Sequence, residues 1–177
     1  MPINWTEIED AIHASFVSAT GMTATKVLWG EQANPQPVRP FATLKIMSGP
    51  VRLGGVDEVR KSYNPAAPLQ QEITHEVSGQ REITVECQVF SDNVHGANAA
   101  RAILSKLQTG LFLPTIRYAL NTAGLSLMAS DSIVDLTAIV ATKFQSRANL
   151  DLRFNLVDTA SQLHGYIETA QVAGDYT

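Results

Sequence analysis

The chain is short of charge, of cysteine and of long apolar runs, and each shortage excludes a class of function. Only 17% of its 177 residues are charged, against roughly a quarter in an ordinary soluble domain. A hydrophobic share of 45% supplies a core and excludes intrinsic disorder. So little charge on so apolar a chain suggests surface that another chain covers. Thirteen Lys and Arg face 17 Asp and Glu for a net charge of −4, without any basic run. That argues against a general nucleic-acid binder, which carries a basic stripe. An acidic wall would still let DNA pass, because it repels the polymer instead of holding it. The single cysteine, Cys87, excludes an internal disulfide and a cysteine-built zinc cage. No apolar stretch approaches the ~20 residues that cross a bilayer, so no membrane partner is expected. The opening Met1-Pro2-Ile3-Asn4-Trp5 lacks the basic and apolar stretches of a signal peptide. The expectation is a protein made and kept in the cytoplasm, or packed there into a larger particle.

What is present reads as one domain over 1–177 with a mixture of helices and strands. Trp5, Ile8, Ile12, Phe16 and Ala19 form one helical stripe. Asn4 and Glu7 supply a capping box, Ile3 and Ile8 a staple, and Gly21 the stop. A short strand, Thr25 to Trp29, precedes a loop whose Pro35, Pro37 and Pro40 favour an extended path. Phe41 to Met47 reads as a strand. Residues 48–70 read as an extended loop or hairpin arm, marked by Gly49-Pro50, Gly54-Gly55 and Asn64-Pro65. Gln71 to Val77 and Arg81 to Phe90 look like a hairpin turning at Ser78-Gly79-Gln80. In its second strand Ile83, Val85, Cys87 and Val89 alternate with polar residues. A helix capped near Asp92 or Asn93 follows, with Ala100, Ile103, Leu104, Leu107 and Leu111 inward. Pro114 to Gly124 is a further short helix. Strands then return at Leu125 to Ala129, at Asn149 to Val157 and at Tyr166 to Val172. The fold class is α+β, a mostly antiparallel or mixed sheet with helices on one face.

No chemistry converges along this chain. His13, His75, His95 and His164 lack partners at metal-binding spacing, and structural or surface roles explain them. Cys87 lies on an apolar strand face, where core packing accounts for it better than nucleophilic attack. Ser91, Asp92 and His95 have the residue types for acid–base work, yet a helix start accounts for them as caps. Gly54-Gly55 lacks the Gly-Lys-Ser/Thr ending of a phosphate loop. Asp131 and Asp135 suit a turn better than a cation site. No catalytic, cofactor or metal residue is assigned, and the chain reads as no enzyme. Its unusual residues sit instead in loops rich in Pro, Gly and Arg, which reach neighbours. Arg39, Arg52, Arg60 and Lys61 make those loops locally basic, suited either to acidic neighbours or to solvent.

Three stretches together resemble the phage neck or tail terminator family. They are Trp29-Gly30-Glu31-Gln32 with the proline-rich run to Arg39-Pro40-Phe41; the strand Arg81-Glu82-Ile83-Thr84-Val85-Glu86-Cys87-Gln88-Val89-Phe90 with its Ala- and Leu-rich helix; and Asp135-Leu136-Thr137 followed by Arg147-Ala148-Asn149-Leu150-Asp151-Leu152. The likeness runs from about Val27 to Val172. It implies a homo-oligomeric ring, typically a hexamer, seated on the last ring of tail-tube protein. Such a ring stops tail growth and offers a docking face to the head connector or stopper. DNA passes through its lumen unbound, and the protein ends in the virion after assembly in the host cytoplasm. Exposed sheet edges and head-to-tail contacts suit ring closure. Trp29, Gln32, Arg39, Phe41, Arg52 and Arg60 are the expected contact residues, chosen for their place on irregular loops.

Three other readings stay open on sequence alone. One is another neck or tail part: a head-completion, stopper or tube protein. Another is a small enzyme or ligand-binding α+β domain, which would need a polar pocket around Asp92, His95, Asp131 or His164. The third is a secretion-system or contractile-particle component using the same cap.

Overall fold

A computed structural model of the chain describes residues 3–30, 35–68, 71–140 and 143–165. Helix α1, Trp5–Thr20, starts where Asn4 Oδ1 accepts the Glu7 amide at 3.4 Å. It ends at Gly21, whose φ of 74° lets its N–H reach Val17 O at 2.9 Å; a Cβ would disfavour that left-handed turn. Its buried stripe is Ile8, Ile12 and Phe16, with Ile3 packed beside it. Helices α2, Ala99–Gly110, and α3, Pro114–Thr122, complete one layer. α2 buries Ala100, Leu104 and Leu107, and α3 buries Ile116 and Leu120.

The other layer is a mixed sheet of eight strands among the described residues. They are β1 Val27–Trp29, β2 Phe41–Arg52, β3 Glu58–Tyr63, β4 Ile73–Asp92, β5 Leu125–Ser130, β6 Val134–Asp135, β7 Ala138–Val140 and β8 Lys143–His164. The order is β1-β2-β4-β8-β5, with β1 parallel to β2 and the other pairs antiparallel. β3 also pairs with β4, while β6 and β7 pair with β8. The α+β reading with helices on one face therefore holds. The core lies where Ile83, Val85, Cys87 and Val89 of β4 meet Leu150, Leu152, Phe154 and Leu156 of β8 and the helix stripes.

Several boundaries differ from the sequence reading. Ser78-Gly79-Gln80 makes no turn: β4 runs unbroken for 20 residues, paired throughout with β8. Gly79 is needed instead for close approach, since a Cβ there would collide with the Asp57 carboxylate. β8 spans 22 residues where only Asn149 to Val157 was expected, because its end segments lack apolar alternation. α2 begins at Ala99, not beside Asp92, and a short 3-10 turn at Asn93–His95 separates it from β4. Thr25 and Lys26 belong to another such turn, Ala24–Lys26, before β1. The strand expected at Tyr166 to Val172 falls outside the described residues.

Candidate assembly surface

β2 and β3 lie end to end along one edge of β4. β2 pairs with the Arg81 to Phe90 part of β4, and β3 with Ile73 to Ser78. β8 pairs with the opposite edge over the full length, from Ile73 opposite His164 to Asp92 opposite Gln145. The buried run of β4 starts only at Ile83 and that of β8 stops at Leu156. Beyond those points three strands continue as an arm: β3, residues 73–80 and residues 157–164. Eight residues at ~3.4 Å each make it about 27 Å long. The expected arm at 48–70 thus supplies one strand of three, and the other two come from β4 and β8.

The two faces of the arm differ. The ladder between β4 and β8 has no slip, so side chains alternate through it without interruption. Ile73, His75 and Val77 consequently share the helix side of the sheet with Ile83 and Val85. Beside them stand Tyr63, Lys61 and Val59 of β3, and His164, Gln162 and Ala160 of β8. The opposite face carries Glu58, Arg60, Ser62, Thr74, Glu76, Ser78, Thr159 and Ser161, with the exposed Val157 and Leu163 along β8. The helix-side face mixes Ile73, Val77, Val59 and Tyr63 with Lys61, His75 and Gln162, and it is exposed: Val59 keeps 58% of its surface in solvent.

An ion cluster sits at the root of the arm. Arg81 Nη1 and Nη2 donate to Asp57 Oδ1 and Oδ2, both at 2.8 Å. This fork geometry is the strong form of a charge pair. Arg52 approaches the same carboxylate at 3.3 Å, and Asp158 lies 3.9 Å from Arg81. The Arg81 hydrogen bond, with the charge of Arg52, holds the Asp57 carboxyl below its ordinary range. The five-residue turn 53–57 is thereby pinned across β4.

The sheet face away from the helices carries a polar mosaic. Phe41 and Phe90 stack there at 4.8 Å, the Arg147 guanidinium lies 4.9 Å over Phe90, and Arg147 donates to Gln88. Asn149 donates to Asp151, and Arg153 pairs with Asp131 at 3.3 Å. On the helix layer, the α2–α3 corner exposes Phe112, Leu113 and Tyr118, at 60%, 52% and 75%. The two ends of α1 fix where this corner lies. Asn4, Glu7 and Ile8 border a cleft of about 310 Å³ with Leu156, Val157 and Thr159 at the arm root. Ala19 lies against Gly110 and Leu113. Sixteen residues at ~1.5 Å separate the ends by about 24 Å, so arm and corner occupy opposite ends of the body.

The chemical candidates do not converge. Asp92 and His95 meet at 2.6 Å, and that hydrogen bond lowers the Asp92 carboxyl. Ser91, however, is fully buried on the helix side and takes no part. Burial pushes the Cys87 thiol far up, so it is no thiolate nucleophile at neutral pH. Asp131 pairs with Arg153 and Asp135 with Arg101 at 3.6 Å, each committed separately. His13 bonds Val27 O at 3.0 Å, and His75 meets His164 edge-on at 4.9 Å. Among the described residues no group of three metal-binding side chains gathers.

The six expected contact residues are scattered, and those described mostly occupy strands. Trp29 ends β1 and packs on the core. Phe41 opens β2 and is only 3% exposed, its ring engaged within the subunit. Arg39 is half-buried before a cis bond to Pro40. Arg52 joins the root cluster, and Arg60 pairs with Glu58 at 2.8 Å in mid-arm. Gln32 lies outside the described residues. The apolar arm face and the α2–α3 corner escaped the sequence reading. Val59 and Tyr63, like Ile73 and Val77, share a strand face that Lys61 and His75 interrupt, so only the apolar pair Phe112-Leu113 beyond the inner stripe gave a signal.

A family model described as phage neck terminator protein matches residues 6–177. Among solved structures, a chain from the virion of a native gene transfer agent (GTA) particle is similar at 12% identity. That alignment covers 85% of this chain and 91% of that one, with a TM-score of 0.34. No curated protein matches.

Proposed function

The chain belongs to the phage neck terminator protein family, a structural part of the virion, and from that premise we propose that it caps the tail tube as a ring. The match across nearly the whole chain carries this reading. In it, copies close head to tail, typically as a hexamer, on the last ring of tail-tube protein. The cap stops tube growth and offers its other face to the head connector or stopper. DNA crosses the lumen without specific binding, and the ring forms in the host cytoplasm before it is part of the virion. No bond is made or broken; the work comes from interface free energy. A stable interface buries ~1,200–2,000 Å² in total, and a ring needs unlike patches on the two sides of each subunit. The arm supports this view, because it extends beyond the core and adds nothing to it.

Light scattering and native mass spectrometry of the purified protein, alone and with tail-tube protein, test the proposal. A closed ring that limits tube length is expected. A monomer indifferent to tubes would overturn it. Within the same proposal, Arg39, Arg52 and Arg60 changed together to Glu weaken ring closure while the fold stays intact. Normal assembly of that variant removes those residues from the interface.

A further inference from the structure

We infer that the helix-side face of the arm is the seat of a second copy of this chain, filled by the neighbour's α2–α3 corner. The inference rests on the ring reading and says which surfaces meet. In the body, the apolar face of β4 and β8 is covered by the chain's own helices. In the arm, past Gly79 and the Arg81–Asp57 cluster, the same side carries Ile73 and Val77, flanked by Val59, and none of the three is buried. Val59, Val77, Ile73 and Tyr63 give this side apolar surface that a covering layer would bury, on either side of a polar row of Lys61, His75 and Gln162. The body's own helices cannot supply it, since each already spends its buried stripe on the core. At the far end of the body, Phe112, Leu113 and Tyr118 are exposed on a helical corner, the kind of layer that would bury the arm's apolar residues.

The placement matches head-to-tail closure. Arm and corner are unlike apolar patches at opposite ends of one molecule, so each copy gives one and receives one. Three strands ~4.8 Å apart and about 27 Å long present a face of roughly 400 Å². Arm and corner together then bury roughly 800 Å² per interface, and the rest of a stable contact comes from the bodies. The contact is through the face, not the edge. β3 places Glu58, Arg60 and Lys61 along the exposed border, and such charged edges resist strand-to-strand addition.

Two single-cysteine variants, Val77→Cys and Leu113→Cys, are purified separately, mixed and oxidised, with native mass spectrometry of each before mixing. Cys87 is fully buried, so the unaltered chain serves as the uncrosslinked control. The expected result is a disulfide between the two variants, and not within either alone. Val59→Asp with Val77→Asp should raise the concentration needed for half-assembly at least tenfold. An oligomer that gives no mixed disulfide and tolerates both aspartates overturns the arm contact and leaves the ring reading standing. A monomer under all conditions, with no disulfide, overturns both.

Discussion

β4 and β8 run through two environments in one continuous ladder, and the contrast separates what a sheet needs from what a core supplies. Between Ile83 and Ser91 of β4, every second side chain is buried to within a few per cent. Between Ile73 and Gln80 none is, although pairing with β8 never breaks. Pairing with β8 is therefore the same in both halves, and the helix layer is the main variable. Net stability per backbone hydrogen bond is modest, ~0.5–1.5 kcal/mol, whereas each buried Leu or Ile contributes ~1.5–3 kcal/mol. The body is held by burial. The arm is held by its ladder and by the Asp57–Arg81 clamp at its root.

The sharpest way to break this contrast is to empty equivalent positions in each half. Leu152→Ala removes a core side chain 2% exposed and should cost about 2–5 kcal/mol in urea unfolding. Val77→Ala, on the same sheet face in the arm, should stay within about 0.5 kcal/mol in the unassembled chain. Similar losses from the two would mean the arm carries a core of its own. Next in size is Gly110→Ala. A Cβ there would sit 2.7 Å from Ala19 Cβ and 2.9 Å from its Cα, so α1 and α2 must separate. Overpacking of this kind costs about 1–3 kcal/mol, and a smaller shift in Tm than Leu152→Ala is expected. An unchanged Tm would show that the helices yield freely.

The body was legible in the sequence for the same reason that it is stable. Ile83, Val85, Cys87 and Val89 alternate because they are buried, and α1 declares itself through Ile8, Ile12 and Phe16. The arm was not legible, because its residues 73–80 are nowhere buried and so burial writes no period into them. Gly79 was read as a turn because glycine in a strand and glycine in a turn look alike. Only the position of Asp57, 22 residues earlier in the chain, tells them apart. Asp92 was read as a helix cap, yet it closes β4 and bonds His95. Family membership was carried by the body strands and by the Trp29 to Phe41 stretch. The expected contact residues were chosen for their place on loops, and Arg52 and Arg60 became ladder residues once β2 and β3 formed.

A smaller effect tests the clamp. Gly79→Ala should displace the Asp57 carboxylate from its seat beside Arg81. Amide exchange in β3 should then quicken about tenfold or more, with global stability changed by less than about 1 kcal/mol. Unaltered exchange would mean the turn 53–57 holds without Asp57.

The smallest effect, and the most specific, is the response to acid. The Asp57 carboxyl is held below its ordinary value by the Arg81 hydrogen bond first, and by Arg52 as well. A group depressed in the folded state contributes stability above its unfolded pKa and loses it as pH falls through the folded one. Arm protection should therefore be flat from neutrality to about pH 4, near the unfolded carboxylate value, and decline below. Glu58 is lowered too, through its hydrogen bond to Arg60, so acid acts on β3 at two places. Asp57→Asn separates them. If Asp57 dominates, that variant shows fast β3 exchange at every pH, corrected for intrinsic rate, and loses most of the acid response. If the response persists in full, the Glu58–Arg60 pair holds the strand, and the root of the arm matters less than its middle.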